Sequence, residues 1–214
     1  MAIVTSGPFM GFSGSAGGYT YYTLPDGRTC VKRKNKKSNK PPTERQMVVR
    51  GDTSLVSDFV KPFESFIETG LKLEANITRQ NPHNEMVRAV RADAIEGVYP
   101  NRKVNLSKVI VSKGDLPMAA ESSVVVTKEG LAFTWSTELV PKFSHHSDQV
   151  MMLAYFPDLK QCVYTISGAQ RHFGKDFLAL TGINKGCTAE VYMSFITDDH
   201  SRISTSIHLG QFNW

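Results

Sequence analysis

Over the last hundred residues, apolar positions recur in short bursts that predict seven β-strands, each bounded by turn residues. The bursts fall at 123–127, 131–136, 149–155, 162–166, 177–180, 188–195 and 203–212. Alternation is clearest in the second, where Leu131, Phe133 and Trp135 take one side and Ala132 and Thr134 the other. Strands at this cadence specify a sandwich of two antiparallel sheets.

Upstream the period lengthens. Thr43-Glu-Arg-Gln46 has the capping-box pattern, in which the Thr43 hydroxyl accepts the Gln46 amide and the Gln46 side chain reaches back to the Thr43 amide. A helix is expected to start there, with Val48, Leu55, Phe59, Phe63, Phe66 and Ile67 forming one buried stripe. Pro62 cannot donate to the Asp58 carbonyl, which predicts a kink or a break, and Gly70 is the expected stop. Asn81-Pro82 opens a second helix with an N-cap and a proline in the first turn. Met86, Val87, Val90, Ala94 and Ile95 face inward, Arg88 and Arg91 outward, and Gly97 ends it. A domain boundary is expected at Lys113-Gly-Asp-Leu-Pro117.

The start of the chain is different in kind. Residues 6–18 carry five glycines and lack the spacing of a phosphate loop, so Phe9 and Phe12 read as anchors of a docking arm. Tyr19-Thr-Tyr21-Tyr-Thr-Leu is rich in strand formers, and Pro25-Asp-Gly27 turns it into the returning strand Arg28-Thr-Cys-Val-Lys-Arg-Lys34. The expected organisation is a glycine-rich arm and basic hairpin over 1–42, a helical region with a short strand over 43–114, and a β-sandwich over 115–214. The fold class is therefore α+β, a β-hairpin with two or three helices, followed by an all-β sandwich.

Composition narrows the function. With 214 residues and 41% hydrophobic content, the chain can build a core. No apolar run approaches the roughly 20 residues that span a bilayer. The start lacks the basic and apolar regions of a secretory signal, so the expected location is cytoplasmic or particle-associated. Cys30, Cys162 and Cys187 are too few and too scattered for a disulfide framework or a zinc knuckle. The net charge of +5 is uneven, with 18 Lys/Arg against 10 Asp/Glu in residues 1–114 and 7 against 10 beyond. Nine basic residues lie in 28–50, opposed only by Glu44. Such a block suits an acidic partner.

Two resemblances add to this. Leu-Ala-Phe-Thr-Trp135 on an early strand and Glu190-Val-Tyr192-Met-Ser-Phe195 on a late one are similar to fibronectin type III and immunoglobulin-like domains, without the antibody cysteine pair. The resemblance implies that Trp135 and Tyr192 are the core tryptophan and tyrosine of the sandwich. Gly7-Pro-Phe9…Gly11-Phe-Ser-Gly14, Lys36-Lys-Ser-Asn-Lys-Pro-Pro-Thr-Glu44, Ser112-Lys-Gly-Asp-Leu-Pro117 and Ser206-Ile-His-Leu-Gly210 occur in order along nearly the whole chain. In these blocks it resembles a domain-of-unknown-function family common in Bacteroidota. The resemblance implies a two-part organisation and assigns no catalytic residue.

Candidate chemistry is sparse. His145-His146-Ser-Asp148 and Asp198-Asp199-His200 both read as loops, the second as a hairpin tip where aspartate serves the backbone. No nucleophile elbow or Cys/His arrangement is present, so an enzyme is not expected, and neither are a cofactor, a metal or a small-molecule substrate. Two readings of the first 42 residues remain. In the leading one the protein is a structural or assembly protein, of the kind found in phage-like particles or fibres. It homo-oligomerises through Phe9, Phe12, Tyr19 and Tyr21. In the other it binds nucleic acid without sequence preference, through Arg28, Lys32, Arg33, Lys34, Lys36, Lys37 and Lys40.

Overall fold

The computed structural model describes residues 2–24, 27–35, 40–140 and 142–214, which fall into two compact units, Met1–Thr43 and Glu44–Trp214. In the first, β1 (Ala2–Val4), β2 (Gly14–Ala16), β3 (Tyr19–Thr23) and β4 (Thr29–Arg33) form an antiparallel sheet in the order β1-β4-β3-β2. The expected β3–β4 hairpin forms, with Tyr22 opposite Cys30. Its turn residues Pro25 and Asp26 lie outside the described residues. Gly17 and Gly18 take φ of 56° and 81° between β2 and β3, as a two-residue hairpin turn of this hand requires. The glycine-rich segment is thus partly a strand of the sheet.

The second unit opens with α1 (Glu44–Val60), a 3₁₀ turn (Lys61–Phe63) and α2 (Glu64–Gly70). The break falls at Pro62, whose missing amide cannot continue the ladder. The stop at Gly70 lasts one residue, because α3 (Lys72–Thr78) follows Leu71. Gly70 is needed for close approach: a β-carbon there would lie 2.4 Å from the Val111 carbonyl oxygen. Next, α4 (Pro82–Ala89) is capped by Asn81, whose Oδ1 accepts the Asn84 amide at 2.7 Å. The helix does not run to Gly97. A π turn (Val90–Ala94) ends it, and the Asn105 amide takes the Ala94 carbonyl at 2.7 Å. The chain then extends into β5 (Ile95–Glu96), paired with β6 (Lys103–Val104).

Each of the seven expected strands is present: β7 (Ser123–Val126), β8 (Gly130–Thr134), β9 (Gln149–Phe156), β10 (Gln161–Thr165), β11 (Lys175–Ala179), β12 (Thr188–Ile196) and β13 (Ile207–Asn213). The last starts later than expected, Ile203 making only an isolated bridge to Ile196. They form two antiparallel sheets, β11-β8-β7 and β10-β9-β12-β13. Between the sheets, Leu131, Phe133 and Trp135 bury against Val150, Met152, Phe156 and Phe195. On the other face of the four-stranded sheet, Met151, Leu153 and Tyr155 bury with Phe59, Phe63, Phe66, Ile67 and Met86 from the helices. A strand covered on both faces reads as an uninterrupted apolar run, as in Val150-Met-Met-Leu-Ala-Tyr-Phe156.

Two expectations change. Tyr192 does not lie between the sheets: strand alternation turns it to the helical side, where its hydroxyl donates to the Leu106 carbonyl at 2.7 Å. Phe195 meets Trp135 instead, ring centroids 5.5 Å apart. The segment 113–117, expected to divide domains, runs inside the second unit. The Lys113 amide donates to the Gly70 carbonyl at 3.0 Å, and the Leu116 amide to that of Ile203 at 3.0 Å.

Candidate functional site

The register of the first unit sorts its side chains. Tyr19 pairs with Arg33 and Tyr21 with Val31, while Thr20 pairs with Lys32 and Tyr22 with Cys30. Because successive residues point to opposite sides of a strand, Tyr19, Tyr21 and Arg33 share one face and Tyr22, Cys30 and Lys32 the other. Phe9 and Phe12 fold over the first face. Phe9 stacks on Tyr21 at 5.3 Å between centroids, and Phe12 meets Tyr21 edge-on at 5.5 Å. Gly14, opposite Tyr21, takes a φ of 146°, which L side chains rarely adopt, and lies against the Phe12 ring. The Gly11 amide donates to Thr29 Oγ1 at 2.8 Å and ties the loop down. The four aromatic residues expected to act together are therefore gathered on one face, Phe9, Phe12 and Tyr21 in ring contact and Tyr19 beside them. They are held on the sheet itself, not on a free arm.

The basic residues are not gathered in this way. Lys32 lies over the Tyr22 ring, 5.8 Å from its centroid, on the face away from Arg33. Lys34 follows β4, its amide donating to the Gly18 carbonyl at 2.8 Å, and Arg28 precedes that strand. Arg28, Lys34 and Lys40 are exposed, and Lys36 and Lys37 lie outside the described residues. The pleat thus splits two neighbouring cations. Charge still concentrates in this unit, with seven Lys/Arg against Asp26 alone, whereas residues 44–214 hold eighteen Lys/Arg against nineteen Asp/Glu.

Residues 16–210 match a family of unknown function, DUF6266. The chain belongs to this family. The match takes in parts of both units and excludes Phe9 and Phe12. No curated protein and no solved structure matches the chain. Among the described residues, no helix is long and apolar enough to cross a membrane.

The remaining polar groups of this family member serve mainly to hold its loops. Asp148 is buried and accepts the His145 amide at 2.8 Å, while its Oδ2 lies 3.3 Å from Arg171 Nε. Arg171 is wholly buried, with its guanidinium 4.1 Å from the Phe195 ring centroid and a bond to the Pro117 carbonyl at 2.7 Å. Burial lowers its pKa against the pull of Asp148. The sequence carried no sign of this pair, since nothing in the spacing of Asp148 and Arg171 announces a shared cavity. At the 198–200 tip, Asp199 accepts from the Ser201 amide and hydroxyl and from the Thr197 hydroxyl, which lowers its pKa to about 2. Burial pushes the Cys162 thiol far above the range of a reactive thiolate. Among the described residues no three His, Cys, Asp or Glu side chains are placed to hold a metal ion.

Proposed function

We propose that the protein is a non-enzymatic structural component that self-associates through the aromatic face of its N-terminal sheet. One observation carries this reading. Phe9, Met10, Phe12 and Tyr19 are 46%, 65%, 40% and 47% exposed, while Cys30 is the one fully buried apolar side chain among the described residues of that unit. A sheet of about forty residues without a core of its own is completed by a partner surface. A second copy is the partner proposed: two aromatic faces against each other close as a dimer, whereas this face docked on another surface of the next copy closes into a ring or runs on as a filament. We also read 115–214 as a fibronectin III-like sandwich. In support, its first, second and fifth strands pair as one sheet. Its fourth joins the third, sixth and seventh, instead of the first sheet as in constant immunoglobulin domains.

The test is the mass in solution by light scattering, after nuclease treatment, at about 50 mM and about 500 mM salt, conditions that separate screened from apolar contacts. Large species at both salts that collapse to monomers in Phe9→Ala/Phe12→Ala/Tyr19→Ala are expected. A wild-type monomer at both salts would end this reading.

The charge of the first unit favours one second reading, a sequence-independent nucleic-acid binder. Lys32→Ala/Arg33→Ala/Lys34→Ala/Lys36→Ala/Lys37→Ala should then lose binding, and log K of the parent should fall with log salt at a slope of about −5 on duplex DNA. A flat salt response would exclude it.

A further inference from the structure

On the second unit, a groove of about 370 Å³ lies between the second half of α1, the segment around β6, and the β9–β10 turn. Phe59, Leu55, Leu106 and Tyr155 supply apolar lining, and Arg102, Lys103 and Lys160 supply cations. We propose that this groove binds a small amphipathic carboxylate, an apolar chain whose acidic headgroup is held by Lys103 and Lys160.

The charges around the groove do not cancel. Asp58, its one acidic lining residue, is already engaged by Lys61 at 2.8 Å. Arg102 is held through Nη1 by Asp52 at 2.6 Å, while its Nε is buried without an acceptor. Lys103 and Lys160 form no ion pair with any described residue. Asp58 still acts electrostatically on Lys160, and Glu96 faces Lys103 across the β5–β6 pair while bound to Lys108. The lining nevertheless carries three cations against one carboxylate beside an apolar surface, and an amphipathic anion complements both features.

Lys160 has a φ of 51°, in the left-handed region, where glycine sits at no steric cost and a lysine does not. The turn thus holds at the groove a residue whose replacement by glycine costs the backbone no steric strain. Tyr155 lines the groove with a hydroxyl that bonds to no described residue, and burial pushes its pKa up to about 12. It stays a neutral donor at physiological pH, able to serve a carboxylate oxygen.

The proposal is tested on the full chain with dodecanoate as the probe and dodecanol as the neutral control, by titration calorimetry below the micellar range. Saturable dodecanoate binding is expected, with dodecanol at least about tenfold weaker, as loss of a charge-assisted contact implies. Lys103→Glu/Lys160→Glu should weaken dodecanoate by about tenfold or more and leave dodecanol unchanged. Lys160→Gly separates binding from folding: it relieves the strained turn, so its melting temperature should hold or rise while dodecanoate affinity falls several-fold. Equal affinity for the acid and the alcohol would overturn the proposal. So would unchanged affinity in the charge-reversed variant, or no saturable binding of dodecanoate.

Discussion

At the scale of single residues, stability rests on a few close fits. The β-carbon of Gly70→Ala would lie 2.4 Å from the Val111 carbonyl oxygen, and this neighbour is backbone that cannot swing aside. Overpacking of this kind costs about 2 kcal/mol, to be read as a lower urea midpoint with an unchanged m value. Glu85 shows how two opposed effects resolve. Burial on α4 raises its pKa, but hydrogen bonds from Thr78 and Arg88 outweigh this and hold the carboxyl below its usual value. A folded-state pKa lowered below the unfolded one stabilises above the unfolded value, and that stability is lost as pH falls through the folded one. Wild type should therefore lose stability below about pH 4.5, the ordinary range of a glutamate. Glu85→Gln should be less stable at neutrality and show a flatter acid limb. Parallel urea midpoints for the two proteins between neutral and acid pH would remove Glu85 as the cause.

At the scale of elements, the break at Pro62 does more than end α1. It lets Phe59 and Phe63 converge on Tyr155 of β9, with centroids 5.6 and 4.7 Å from that ring, and lets Phe66 reach Tyr164 of β10 at 5.8 Å. Removing Phe63, which is wholly buried, should cost about 3–5 kcal/mol in chemical denaturation. Phe177→Ala on the exposed side of β11 should cost within about 0.5 kcal/mol, and a comparable loss at both sites would contradict this packing. Strand β8 was legible from its alternation, β9 and β12 as short apolar runs bounded by turn residues, and α1 and α4 because each carried a cap or a proline. The helix α3 was not. Of its residues only Ala75 is buried, so no apolar stripe marks it.

At the scale of the whole molecule, contacts divide the chain after Thr43, next to the expected end of the arm and hairpin at residue 42, and keep the second expected boundary, around Lys113, inside the larger unit. The helices and the four-stranded sheet share one core, so neither forms without the other. Residues 44–214 expressed alone should therefore unfold in a single cooperative transition, with the fluorescence of Trp135 and Trp214 and far-UV circular dichroism changing together. Separate transitions for helices and sheets would refute the shared core. The charge of the chain follows the same division, since its excess sits in the first unit and the remainder is nearly neutral.

The local code reached as far as local physics extends. Turn glycines, caps and periodicity determined the seven C-terminal strands, the basic hairpin, the start of α1, the break at Pro62 and the capped start of α4, because each depends on neighbours within a few residues. The sequence also placed Phe9, Phe12, Tyr19 and Tyr21 together as a candidate surface. Tertiary structure decided which side of β12 meets the helices, since both sides are apolar and alternation alone names neither. It also separated Lys32 from Arg33 through the pleat, brought Arg171 onto Asp148, and opened a cationic groove beside Tyr155. These outcomes join residues up to more than a hundred positions apart in the chain, such as Leu55 and Lys160, and a side chain's burial preference does not specify which distant surface will satisfy it.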